Sequence, residues 1–218
     1  MAEDFKKVLI VMAHPDDEII FGWPILQDKT IEKKILICSS DYYNDDRAWC
    51  KYRKEALFSI GKKLNIETFC LDYPSEFYRA ATRPTSKDPE EDGQNSGPYR
   101  QMRKVMADKI MEMERDCDAV FTHNPMGEYG HIDHTLLFDI VLKNSTKPVI
   151  ITNIVQPSNW SRAPSNTQKL GKIYYSRLYK KDCILDKDLL QYCKKEYEKK
   201  NAWTWSKPVV SKCNLYVL

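Results

Sequence analysis

His14, Pro15, Asp16, Asp17 and Glu18 follow directly on the apolar run Val8 to Ala13. Carboxylates packed this closely repel one another unless one holds a proton or a cation sits among them. A second stretch, THNPMGEYGHIDH, opens with His123 just behind it and closes on His131, Asp133 and His134. The chain has 4 histidines, and all of them fall in or beside these two segments. A hydrolytic mononuclear zinc site uses three nitrogen or oxygen ligands and keeps a fourth position open. His14, one of Asp16 and Asp17, and one of His131 and His134 supply that inventory. A carboxylate left over can take a proton from water, and a spare imidazole can serve the oxyanion or the leaving group. His131 and His134 share one side of a first helical turn, and Asp133 between them is placed to hydrogen-bond one imidazole. The plainer alternative is capping, with Asp16, Asp17 and His131 as helix N-caps. Capping alone leaves unexplained why two separate loops both carry histidines, and it can coexist with coordination.

The elements that must position these residues alternate along the chain. Lys6 to Ala13 and Lys33 to Ser40 are short, nearly continuous apolar runs, as in strands buried on both faces of a parallel sheet. Asp17 to Asp28 reads as a short helix weakened by Gly22 and Pro24. Trp49, Tyr52, Ala56 and Ile60 mark a stronger helix over 46–65, and Ile66 to Asp72 a third strand. Residues 99–116 read as a helix, 117–124 as a strand, 131–144 as a helix and 147–153 as a fifth strand. The order predicts an α/β fold, a Rossmann-like, doubly wound, mostly parallel sheet with helices on both faces. In such sheets ligands bind beyond the carboxyl ends of the strands, where strand order reverses. Both histidine loops lie at such ends. The connection from Tyr73 to Pro98, with four prolines and two glycines, is long enough to suggest a functional role. After Asn153 the pattern is less regular: a polar loop through Asn166, a β pair within 171–186 and a last helix near 187–200.

The bulk numbers exclude several classes. With 34 basic and 31 acidic residues the net charge is only +3, and no basic stripe with interleaved aromatics suggests nucleic acid. The run KKEYEKK pairs lysines with glutamates at helical spacing, as a solvated helix face does. No apolar stretch approaches the roughly 20 residues of a membrane span, and no leader pattern is visible at the N-terminus. The 7 scattered cysteines form no CxxC pair, so free thiols in a reducing cytoplasm are expected. At 218 residues the chain fits a single domain, with a core over about 6–153 and a β/α extension over 154–218.

The motif AHPDDE at the end of the first strand, with GHIDH opening a later helix, resembles the PIG-L/LmbE-like family of zinc-dependent N-deacetylases. YRKEAL matches the arginine and glutamate of the helix after the family's second strand. The resemblance runs from about Lys6 to Ile151. It implies an LmbE-like fold and a hydrolase, an amidohydrolase of a linear amide C–N bond. The activity would remove acetyl from an N-acetylated amino sugar of the N-acetylglucosamine type, or from its glycoconjugate. It implies one zinc ion per chain, or another divalent metal, held by His14, Asp17 and His134. Asp16 would be the general base toward the zinc-activated water. His131 would stabilise the tetrahedral intermediate or protonate the leaving amine, tuned by Asp133. Arg53 would contact sugar hydroxyls or a substrate phosphate, and Tyr129 would donate to the oxyanion. Glu18 would be structural, bonded to loop backbone or to Arg53. The chain departs from the family where CSSDYYNDD replaces a threonine and glycine after the second strand; that segment and 73–98 would line the substrate cleft.

Three other readings compete. One is a metal-dependent hydrolase of another bond, a phosphoester or a different amide, although many phosphoesterases use paired metals. A nucleotide-binding module would need a glycine-rich turn after the first strand, and MAHPDDEIIFG has none before Gly22. A non-catalytic relative would be expected to have lost one of His14, Asp16, Asp17, His131 or His134. The expected partner is a small-molecule substrate, without nucleic acid or membrane, and homo-oligomer formation is compatible with the sequence.

Overall fold

Val8, Ile10 and Met12 pack into one apolar layer, and Leu9, Val11 and Ala13 into another. The strand that holds them, β1 (Lys7–Met12), is therefore buried on both faces, as its unbroken apolar run requires. The computed structural model describes residues 5–40, 48–74, 97–155 and 177–218. Among these, β2 (Glu32–Ser40), β3 (Glu67–Pro74), β4 (Ala119–Thr122), β5 (Val149–Thr152), β6 (Arg177–Ile184) and β7 (Lys212–Val217) complete a seven-stranded sheet. Its order is β3-β2-β1-β4-β5-β7-β6. The first five strands are parallel, and β7 runs antiparallel to both β5 and β6. This is the mostly parallel, doubly wound α/β sheet that the strand and helix order predicts.

The helices divide between the two faces. α3 (Ala48–Leu64) packs Ala56, Leu57 and Ile60 into the first layer, and α4 (Gly97–Met113) packs Met102, Met106 and Ile110 into the second. α6 (Ile132–Asn144) joins α4, whereas α7 (Lys187–Glu198) brings Cys193 and Tyr197 to the α3 side. Before α6 stands the four-residue turn α5 (Gly127–Gly130), whose Glu128 and Tyr129 have non-helical backbone. Among the described residues, no helix is long and apolar enough to cross a membrane.

One local expectation needs correction, and two fall partly or mostly outside the described residues. The helix expected over 17–28 is two single turns, α1 (Asp17–Ile20) and α2 (Trp23–Leu26). A Cβ at Gly22 would lie 2.6 Å from the Glu18 carbonyl oxygen, so the glycine lets the chain bend tightly between them. Of the β pair expected within 171–186, residues 171–176 lie outside the described residues; the rest holds β6, paired with the unforeseen β7, and Cys183 faces Cys213 in that register. Most of the long connection over 73–98 and the loop toward 166 lie outside the described residues.

Strand order reverses between β1 and β4, which pair directly from Val8↔Ala119 to Val11↔Thr122. The carboxyl ends of these two strands are therefore level, and both histidine loops leave from there.

Candidate active site

Asp16 is the pivot of the first loop. Its backbone is left-handed, with φ 107°, a conformation costly for any residue but glycine. Its N–H donates to Glu18 Oε2 at 2.8 Å, and Glu18 Oε1 accepts from the Tyr197 hydroxyl at 2.7 Å. The loop-backbone partner expected for Glu18 is thus present, with a second partner from α7. Burial pushes the Glu18 carboxyl up to about 7, against the opposing hydrogen bonds from Tyr197 and Asp16. Asp16 precedes α1 in the N-cap position but makes no side-chain cap there. Its carboxylate goes to other partners: Arg53 Nη2 lies 2.5 Å from Oδ1, and Thr204 Oγ1 donates to Oδ2 at 3.4 Å. Arg53 is buried against this aspartate.

Asp17 faces three imidazoles. Its Oδ2 accepts from the His14 N–H at 2.8 Å and lies 3.2 Å from His14 Nδ1. The same oxygen is 3.3 Å from His134 Nε2 and 3.5 Å from His123 Nε2. Burial alone would raise the Asp17 carboxyl, but its imidazole neighbours His134, His123 and His14 hold it well below the usual carboxylate range. His14 Nε2 is 2.9 Å from Asp133 Oδ2. Burial would depress the His14 imidazole, but its hydrogen bonds to Asp133 and Asp17 hold it well above its ordinary value.

His131 caps α6, its Nδ1 accepting from the Asp133 N–H at 3.3 Å. Capping and proximity to the metal candidates thus coexist in one residue. Asp133 Oδ2 stands 3.9 Å from His131 Nδ1, beyond hydrogen-bond range, so the imidazole this carboxylate binds is that of His14. Burial, reinforced by His134 and His14 nearby, holds the His131 imidazole far below its usual range. The Tyr129 ring stacks on Phe21 at 6.0 Å and meets His131, His134 and Trp205 edge-on or tilted at 5.5, 5.4 and 5.4 Å.

Several residues of this site escape a reading of the sequence. His123 stacks on His134, ring centres 3.8 Å apart and planes 16° from parallel. Glu128 touches both rings, 2.9 Å from His123 Nδ1 and 2.7 Å from His134 Nδ1. The one signal for Glu128 is an acid between two glycines in a histidine-bearing loop. Tyr197 and Thr204 come from the part of the chain without motifs.

The donor set fits a divalent cation. Zinc bonds of about 2.0–2.1 Å set tetrahedral ligands about 3.3 Å apart. That is the spacing of Asp17 Oδ2 from His134 Nε2 (3.3 Å) and from His14 Nδ1 (3.2 Å). His134 Nε2 is buried without a hydrogen-bond partner. Among the described residues, five carboxylates (Asp16, Asp17, Glu18, Glu128 and Asp133) are buried here beside one guanidinium, Arg53. These carboxylates need positive charge nearby, from protonated imidazoles or a bound cation. Two triads bring one donor atom from each residue within 4.8 Å of the others, His14–His131–His134 and Asp17–His123–His134; the predicted set His14–Asp17–His134 is not one of them and is joined pairwise through Asp17. In the second triad, His123 Nε2 already accepts the Ala13 N–H at 3.0 Å.

A family model described as GlcNAc-PI de-N-acetylase, PIG-L, matches residues 9–144. An uncharacterized protein of Acanthamoeba polyphaga mimivirus is 26% identical over 166 residues, 68% of this chain and 64% of that relative's length. A deacetylase of teicoplanin biosynthesis superposes with a TM-score of 0.63 at 12% identity, covering 98% of each chain. N,N'-diacetylchitobiose deacetylase from Pyrococcus horikoshii gives 0.57 at 15% identity, covering 99% of this chain and 84% of that one. At these identities the two structures establish likeness of fold.

Proposed function

The chain belongs to the PIG-L, or GlcNAc-PI de-N-acetylase, family, and from that premise we propose that it is a zinc-dependent hydrolase removing acetyl from an N-acetylated amino sugar or its conjugate. One observation carries the proposal: Asp17 Oδ2 stands at ligand-to-ligand spacing from His14 and His134, with Asp16 the adjoining residue. His14, Asp17 and His134 would hold the metal, zinc or another divalent ion. When bound, the ion supplies Lewis acidity, polarising the acetamide carbonyl and acidifying water toward neutrality.

The remaining work falls to the chain. Asp16, fixed by Arg53 and Thr204, takes the proton of the attacking water. His131 accepts the Asp133 N–H at Nδ1, so its proton resides on Nε2. From there it donates to the oxyanion of the tetrahedral intermediate. Proton return to the departing amine, through Asp16 or His131, completes the hydrolysis. Arg53, through Asp16, and Tyr129, through the aromatic wall, shape the substrate side. The bond specificity finds support in the family description and in the two deacetylases of the same fold. Residues 6–153 as core and 154–218 as extension form one domain in this reading, supported by the entry of β6 and β7 into the common sheet. No disulfide joins Cys38, Cys117, Cys183, Cys193 or Cys213 among the described residues.

The test is metal analysis of the purified protein together with acetate release from a panel of N-acetylated amino sugars and conjugates. Acetate is expected from the wild type and not from Asp16→Asn. Bound metal without acetate from any member of the panel would overturn the deacetylase reading.

A further inference from the structure

Glu128 has no part in the chemistry above, yet it is among the most constrained residues of the molecule. It is buried, and its φ of 55° is left-handed, beside Gly127 at 58°. Strain of this kind persists only where the surroundings over-determine it. Here they do. Oε1 accepts from the Asn124 N–H at 2.9 Å, and Oε2 lies 2.7 Å from His134 Nδ1 and 2.9 Å from His123 Nδ1.

A carboxylate only accepts, so both imidazoles carry a proton on Nδ1. For His123 the consequence is visible, because its Nε2 accepts the Ala13 N–H at 3.0 Å and therefore bears a lone pair. That bond locks the His123 ring to the end of β1, and the His134 ring is stacked on it at 3.8 Å. His134 must present its own lone pair at Nε2. This atom is buried without a hydrogen-bond partner, 3.3 Å from Asp17 Oδ2. Two lone pairs facing each other in a dry interior repel unless a metal ion or a proton lies between them. Asp133 makes the equivalent contact on His14, bonding Nε2 at 2.9 Å while Nδ1 faces Asp17.

We propose that Glu128 is a positioning residue that holds His134 in the Nδ1–H tautomer and so delivers its Nε2 lone pair to the divalent ion, with His123 as the stacked spacer that fixes the ring plane. The role rests on His134 being a metal ligand, as proposed above. Carboxylates placed this way behind a ligating histidine are typically worth about 10–100-fold in metal affinity.

The test compares wild type, Glu128→Gln and His134→Ala by Zn(II) titration, by Co(II) absorption spectra and by imidazole ¹⁵N NMR of the metal-free proteins. Wild type is expected to bind both ions and to show His134 protonated at Nδ1. Glu128→Gln should bind Zn(II) about 10–100-fold more weakly, with an altered Co(II) spectrum and His134 partly protonated at Nε2. Unchanged affinity and spectrum in Glu128→Gln would overturn the proposal. So would an Nε2–H tautomer in metal-free wild type, a measurement that needs no variant to fold. Wild type that binds neither ion would overturn the ligand assignment itself, whatever the tautomer.

Discussion

His131 and His134 are three residues apart but have different neighbours. His134 is fully buried with a bare Nε2, whereas the His131 side chain retains 23% exposure and uses Nδ1 as a helix cap. His134→Ala should abolish zinc binding, measured by metal content after dialysis. His131→Ala should keep the metal and lose about 10²–10³ in turnover, the usual cost of an oxyanion donor. It should also lose about 0.5–2 kcal/mol of stability with the cap. Equal metal loss in both variants would reverse the two roles. The residues that touch the reacting groups were legible in the sequence because their chemistry demands particular types in AHPDDE and GHIDH. Glu128 was not, since a lone acid in a loop has no periodicity and its function depends on two rings meeting in space. Arg53 was legible as a motif residue, but its burial against Asp16 was not.

At the scale of elements, the first loop is braced from below by Gly22 and from the side by α7. Gly22→Ala would drive a methyl group to 2.6 Å from the Glu18 carbonyl. We expect a loss of about 1–3 kcal/mol, seen in denaturant or thermal unfolding, as for other overpacked sites. Tyr197→Phe removes the 2.7 Å hydrogen bond to Glu18 and leaves a buried carboxyl oxygen without that donor. The expected cost is about 1–3 kcal/mol, together with a fall in turnover, because Glu18 also holds the Asp16 backbone. A Tyr197→Phe enzyme with wild-type stability and rate would show that α7 merely covers the sheet. β1 announced itself through a continuous apolar run. β6 was legible only as part of a β pair within 171–186, because its residues are mostly exposed, and β7 offers an alternation of only Cys213, Leu215 and Val217. α7 and the segment after it separate β7 from its partner β6, so no hairpin signal pointed to it.

Across the whole molecule, the halves are clasped on the flank of the sheet. Gln27 donates to the Ile184 carbonyl and accepts from the Asp186 N–H, both at 2.8 Å, while Lys180 bonds Asp28 at 2.7 Å. Burial would raise the Asp28 carboxyl, but Lys180 and Thr30 outweigh it and draw the value down from 3.8 to about 2. A carboxyl depressed in the folded state stabilises above its unfolded value, and the contribution fades as pH falls through its folded value. Acid unfolding should therefore include a loss of about 1 kcal/mol between about pH 4 and 2, modest because Lys180 is partly in solvent. Asp28→Asn should remove that segment of the pH profile and leave stability at pH 2 nearly unchanged.

The position of β7 also sets an order in time. It follows β6 along the chain but lies between β5 and β6 in the sheet. A ribosome delivers AHPDDE before β6 and α7, and all of these before the strand that pairs β6 into the sheet. Until residues 212–217 emerge, β5 has an open edge and β6 has no neighbour among the described strands. The Tyr197 contact that steadies the opening loop does not depend on β7, since Ser59 and Glu55 of α3 bond Glu196 and Lys200 directly. What β7 completes is the sheet, covering the open edge of β5 and giving β6 its neighbour.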